Sequence, residues 1–137
     1  MYLDINDLKY GIHGEMLNVI TRYAENAEQA ISEAQSEVES YLTARYDIRA
    51  EFAKTGSERS PLVIRLVRDV ALYNCFKISN PVNMPEVRRD AYRDTIAFLK
   101  DVQAERASID ALTRRTGTTG TSSYVSFGGN RKRKNQM

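Results

Sequence analysis

The groups best able to do chemistry in this chain are few and far apart. His13 is the only histidine, set between Ile12 and Gly14, and Cys75 is the only cysteine, set between Asn74 and Phe76. A metal site needs three or four His, Cys or carboxylate ligands brought together. One imidazole and one distant thiol do not provide them, so His13 reads as a turn or capping residue and Cys75 as part of a core. A lone cysteine closes no intrachain disulfide and fits a reducing, intracellular site of synthesis. The stretch "TGTTGTSS" at 116–123 has glycines but no strand before it and no lysine at the offset a phosphate-binding loop requires. Carboxylates are plentiful: Glu25, Glu28, Glu33, Glu37 and Glu39 follow one another with no base until Arg45. Glu33 and Glu37 stand four apart on one helical face and repel each other mildly. They form either a solvated face or a surface set to repel something negative. No nucleophile stands beside a base, and we expect no enzyme, no metal and no cofactor.

Binding groups are easier to find, and they sit at one end. The chain has 20 bases and 18 acids, for a net charge of +2, but the charge is divided. Residues 113–137 hold six bases and no acid, a charge of +6, which leaves 14 bases against 18 acids, or −4, in the rest. Arg131, Lys132, Arg133 and Lys134 form a cluster that would gain from counterion release on nucleic-acid phosphates. Just before it, Tyr124, Val125 and Phe127 stand in "SYVSF". In an extended strand Val125 and Phe127 share one face, and such a segment can add to the sheet edge of another chain. A plain flexible terminus is the third reading.

The elements that must position these groups are helical. At 137 residues, 42% hydrophobic and 28% charged, the chain is expected to form one soluble domain. No apolar run approaches the roughly 20 residues that span a bilayer, and no secretory signal is visible in "MYLDINDLKYG". Asp4, with Asp7 three residues on, predicts a capped short helix ending by Gly11. A second short helix is predicted over 15–22. Ala27, Ala30, Ile31, Ala34, Val38, Tyr41, Leu42 and Tyr46 recur at three- and four-residue steps, which predicts a long amphipathic helix of about six turns. A loop over 47–60 follows. Ser60-Pro61 is a helix start, and 12 of the 17 residues from Leu62 to Ile78 are apolar on nearly every face, as a central helix requires. Pro81 and Pro85 break the chain. A last long helix is predicted from Pro85 to Glu105, with Val87, Ala91, Thr95, Phe98, Leu99 and Val102 inside. Leu66, Val70 and Tyr73 should be buried, with Leu42, Phe98 and Leu99 nearby. The expectation is an all-α fold: a helical domain over 1–112, with two short N-terminal and three long helices, and an extended basic arm over 113–137.

The order of these pieces resembles a known family. "MYLDINDLKYGI", "VESYLTARYDI", "SPLVIRLVRDVALYNCF" and "RRDAYRDTIAFLKDVQAERASI" together look like the head-tail connector proteins of Mu-like tailed phages and prophages. Tyr41, Leu42, Arg45 and Tyr46 supply that family's "Y-L-x-x-R-Y" segment. Asp69, Val70, Ala71 and Tyr73 supply its "D-I/V-A-x-Y" segment, and Tyr92 with Ala97, Phe98 and Leu99 resembles its closing helix. The likeness spans roughly residues 1–110, and the ending "NRKRKNQM" departs from shorter relatives. The resemblance implies a virion protein of the neck, made in the host cytoplasm. It implies a homo-oligomeric ring of about 12 subunits beneath the portal protein, extending the DNA channel and meeting a tail-joining or stopper protein. DNA would pass through the lumen without specific binding. On that reading Tyr124, Val125, Phe127, Arg131, Lys132, Arg133 and Lys134 would bind the portal or a neighbouring subunit. Glu28, Glu33, Glu37 and Glu39 would line the channel. The alternative is a small helical nucleic-acid-binding regulator that uses its basic tail.

Overall fold

The computed structural model describes residues 1–10, 24–79, 82 and 84–115. Among these the fold is all-α: α1 (Ile5–Lys9), α2 (Ala24–Leu42), α3 (Ile48–Phe52), α4 (Pro61–Ser79) and α5 (Glu86–Gln103). The predicted helix at 15–22 and His13 lie outside the described residues.

Asp4 caps α1 as its position predicts. Its carboxylate accepts from the Asp7 backbone N–H at 3.0 Å, and the Asp7 carboxylate accepts in return from the Asp4 N–H, also at 3.0 Å. Two orphan donors of the helix end are satisfied by one reciprocal pair. The apolar stripe of α2 is buried as its spacing requires, with Ala30, Ile31, Ala34, Val38 and Leu42 all at 0% exposure. The helix stops at Leu42, a turn before the predicted Tyr46. The Arg45 and Tyr46 N–H groups both donate back to the Leu42 carbonyl, and the chain swings into a single antiparallel bridge between Tyr46 and Arg114.

The loop predicted over 47–60 is more structured than its charges suggest. Asp47 accepts from the Ala50 N–H and starts α3, which buries Ile48 and Glu51. Gly56, at φ +59°, opens a 3₁₀ turn over Gly56–Glu58, a left-handed conformation that costs glycine nothing. Ser60 then accepts weakly from the Val63 N–H at 3.4 Å, with Pro61 as the first residue of α4.

α4 packs against both α2 and α5, which also touch each other, and its buried Val63, Leu66, Val67, Val70, Ala71 and Leu72 are the centre of the core. Cys75 is buried there too, and burial pushes its thiol up to about 11, so the inert core reading holds. Tyr73 is only half-buried, against expectation, because it faces the groove beside α5. In α5 the inner face is Thr95, Leu99 and Val102. Val87, predicted inside, is 67% exposed. At about 100° per residue it stands roughly 80° round the helix from Thr95. Phe98 is half-buried against the core.

The end of α5 is closed by a tight cap. The Arg106 N–H donates to the Asp101 carbonyl at 2.8 Å and the Glu105 N–H to that of Val102 at 3.1 Å, with Glu105 at φ +66°. This is the double bond pattern that usually employs glycine at the left-handed position. The chain then re-enters the core through Ile109 and Leu112.

Candidate interaction surfaces

Three arrangements of polar side chains stand out, and each pins one segment to another. The first holds the N-terminus. Glu51 is 2% exposed, yet its carboxylate accepts from the Tyr2 hydroxyl at 2.5 Å and the Ser60 N–H at 2.6 Å, with the Lys54 ammonium 3.1 Å away. Burial pushes the Glu51 carboxyl upward, but these donors outweigh it and leave the group below the usual carboxylate range. Burial and the adjacent Glu51 charge push the Tyr2 hydroxyl well above its ordinary value. Beside it Arg59 donates to both Asp7 oxygens, at 2.8 and 3.3 Å, and to the Tyr2 carbonyl at 2.8 Å. The clasp ties α1, α3 and the start of α4 into one unit.

The second arrangement ties residues 102–115 to the turn that follows α2. Arg45 donates through one nitrogen to the carbonyls of Val102 and Ala107, at 2.5 and 2.9 Å. Its guanidinium lies 5.2 Å from the Tyr46 ring centroid. The Tyr46 hydroxyl accepts from the Ile109 N–H at 3.1 Å. Thr113 accepts from the Asp47 N–H at 2.8 Å, and Arg115 donates from its backbone to Arg45 at 3.0 Å and from its side chain to Thr43 at 2.8 Å. The "Y-L-x-x-R-Y" segment therefore does more than fill a core. Its arginine and second tyrosine are the lock on residues 102–115. Sequence periodicity could not show this, because the partners are backbone groups about 60 positions away. Next to the lock is a pocket of about 380 Å³ with Thr43, Asp47, Arg49, Arg114 and Arg115 on its walls.

The third arrangement is a groove between α4 and α5. The rings of Tyr73 and Tyr92 stack with centroids 4.0 Å apart and planes 13° from parallel. The Tyr92 hydroxyl donates to Glu37 at 3.1 Å, and burial, with the Glu37 charge next, pushes it up to about 12. Ile96 and Ala97 continue the floor, and Arg89, Arg93 and Lys100 form the rim of a space of about 440 Å³. The lysine of α4, Lys77, stands over the Tyr73 ring at 5.9 Å.

The glutamates of α2 do not form one stripe. At about 100° per residue, Glu28 and Glu39 fall on one flank and Glu33 and Glu37 on the other. Glu28 lies beside Asp4 and Ile5 of the N-terminal segment, and Glu39 pairs with Arg49 at 2.9 Å. Glu33 accepts from Gln29 at 3.1 Å, and Glu37 takes the Tyr92 hydroxyl. Tyr124, Val125, Phe127 and Arg131 to Lys134 lie outside the described residues. Among the described residues no cluster of His, Cys, Asp and Glu could hold a metal ion, and no helix is long and apolar enough to cross a membrane.

Residues 2–126 match the family model described as Bacteriophage Mu, Gp36. No curated protein and no solved structure matches the chain. The chain belongs to the Bacteriophage Mu Gp36 family, which places it among Mu-like phage proteins and supports a structural or morphogenetic role.

Proposed function

We propose that this member of the Mu Gp36 family is a head-to-tail adaptor, a structural protein that forms a ring under the portal and extends the channel through which DNA passes. The observation that carries the reading is the lock of Arg45 and Tyr46 on residues 102–115. It fixes residues 102–115, which precede the basic terminal segment in the chain, on the helical body. A subunit that must grip a neighbour gains from such a base, because a loosely rooted attachment would lose more entropy on binding. Tyr124, Val125 and Phe127 would be the side chains inserted into the portal or a neighbouring subunit, with Arg131 to Lys134 reaching acidic groups. Repetition around a ring compensates for modest affinity at each contact.

Glu28 and Glu33 are both exposed on α2 but stand about 140° apart, so only one of the two would face a channel wall and keep it from gripping phosphate. Glu37 and Glu39 already serve partners within the subunit. The role is mechanical rather than catalytic. The test is electron microscopy of the purified protein mixed with the portal of its own phage. Rings stacked on portals are expected. Protein that leaves portals bare while binding duplex DNA with a steep salt dependence would instead establish the regulator reading.

A further inference from the structure

The sequence of α5 repeats a base followed by an acid: Arg89-Asp90, Arg93-Asp94 and Lys100-Asp101. The steps between repeats are four and seven residues, so each member of the repeat returns to its own side of the helix. At about 100° per residue, Arg89, Tyr92, Arg93, Ile96 and Lys100 share an arc of roughly 100°. Val87, Asp90, Asp94, Phe98 and Asp101 share another, about 150° away. Buried Thr95, Leu99 and Val102 lie between the two on the inside. One helix thus shows a basic flank and an acidic flank, each with apolar residues in it. Arg89, Arg93, Asp94 and Lys100 are exposed, and Asp90 and Asp101 are about half exposed.

Resting on the ring reading above, we propose that these flanks are the two halves of one subunit contact. The Arg89–Arg93–Lys100 flank of each copy takes the Asp90–Asp94–Asp101 flank of the next, with their α5 helices side by side and parallel. A closed ring relates neighbours by rotation alone, so a helix running along the ring axis meets its neighbour at equal height. Equal height is a strong demand. It is met only by opposite charges that occupy nearly the same positions on one element. Here the offset is a single residue, about 1.5 Å of rise, which an arginine or lysine side chain spans easily. The two faces differ, so the contact is heterologous: it repeats head to tail and, where the rotation closes, makes a ring rather than a two-fold dimer.

Apolar surface accompanies the charges on both sides. The basic flank carries the groove floored by Tyr73, Tyr92, Ile96 and Ala97. The acidic flank carries Val87, 67% exposed, and the half-buried Phe98. Apolar contact supplies affinity and the charges set register and handedness. Arg93 pairs with Asp90 in its own helix at 2.7 Å, and Asp101 with Arg106 at 2.9 Å. Both pairs are open to solvent, and exposed pairs of this kind contribute little, so exchanging them for partners on a neighbour meets small resistance.

Charge reversal tests the contact. The triple variant Arg89→Glu, Arg93→Glu, Lys100→Glu has two acidic flanks; Asp90→Lys, Asp94→Lys, Asp101→Lys has two basic ones. Each alone should self-associate more than about tenfold more weakly than wild type in sedimentation experiments. Mixed at equal amounts they should assemble again, into alternating rings with an even number of subunits by native mass spectrometry. Wild-type association should weaken as salt is raised. Far-UV circular dichroism checks that the variants stay helical, and the milder pair Arg89→Gln, Lys100→Gln gives the same direction of change if a reversal unfolds the chain. Rings formed as readily by both reversed variants as by wild type would overturn this interface and leave the adaptor reading standing. A wild-type chain that never associates with itself, alone or on portals, would sink both.

Discussion

Glu51 carries a charge in a place that is almost closed to water, and the two donors that hold it there are themselves buried. Replacing it with alanine leaves the Tyr2 hydroxyl and the Ser60 N–H facing no acceptor. Glu51→Ala should therefore cost about 1–3 kcal/mol in urea unfolding, the price of stranded buried donors. Its depressed carboxyl, and that of Asp7, which Arg59 and the Asp4 backbone lower against the upward push of burial, also fix the sign of the acid response. A carboxyl held lower in the folded state than in the unfolded chain stabilises the fold above its unfolded value, about 4. That stability disappears as pH falls through the folded value. Asp69 runs the other way. Burial raises it, with Arg88, 3.9 Å away, only partly offsetting the effect, so its ionised form costs stability at neutral pH. Asp69→Asn should raise the urea midpoint at about pH 7 and leave it nearly unchanged at about pH 3. A lower midpoint at neutral pH would show that the Arg88 contact and the hydrogen bond that the Thr95 hydroxyl donates to Asp69 at 3.4 Å outweigh burial.

At the scale of elements, α4 is the one whose loss the fold could least absorb. Leu66 is fully buried at its centre, and Leu66→Ala should cost about 2–5 kcal/mol. Val87→Ser, at the exposed start of α5, should stay within about 0.5 kcal/mol. The cap of α5 offers the opposite effect: Glu105 holds a left-handed backbone that glycine adopts freely, so Glu105→Gly should stabilise by about 1 kcal/mol in thermal or urea unfolding. These elements differ in how readily the sequence discloses them. The three long helices and the Asp4 cap were legible because periodicity and cap chemistry act within a few residues of one another. α3 was not, since five residues cannot show a period and its buried glutamate reads as a loop charge. The basic and acidic flanks of α5 are visible in sequence only after the helix bounds and its buried face are known. The lock of Arg45 was partly legible: the motif that contains it was evident, but its partners are carbonyls, which carry no sequence signature.

For the whole molecule, the decisive question is where the body ends and the attachment begins. The helical packing is tied through Arg115, whose backbone bonds to Arg45 and whose side chain bonds to Thr43. Cutting further back, at 112, would remove Thr113 and Arg115 from the lock and expose Asp47 and Arg45 backbone groups that now have partners. A chain ending at residue 116 keeps every one of those bonds. It also removes four of the six bases of the terminal segment, together with Tyr124, Val125 and Phe127. If the terminal segment is the attachment to the portal and α5 is the contact between subunits, the two functions should separate under this truncation. The shortened chain should show wild-type helicity and urea midpoint, and should still associate with itself in a salt-sensitive way. On portals, however, it should dock far less, because each subunit around the ring has lost its own grip and the gain from multivalency goes with it. Pull-down on immobilised portal, scored beside sedimentation of the free chain, reads both properties from one preparation. Wild-type docking by the truncated chain would assign portal binding to the helical body and leave the terminal segment without that role.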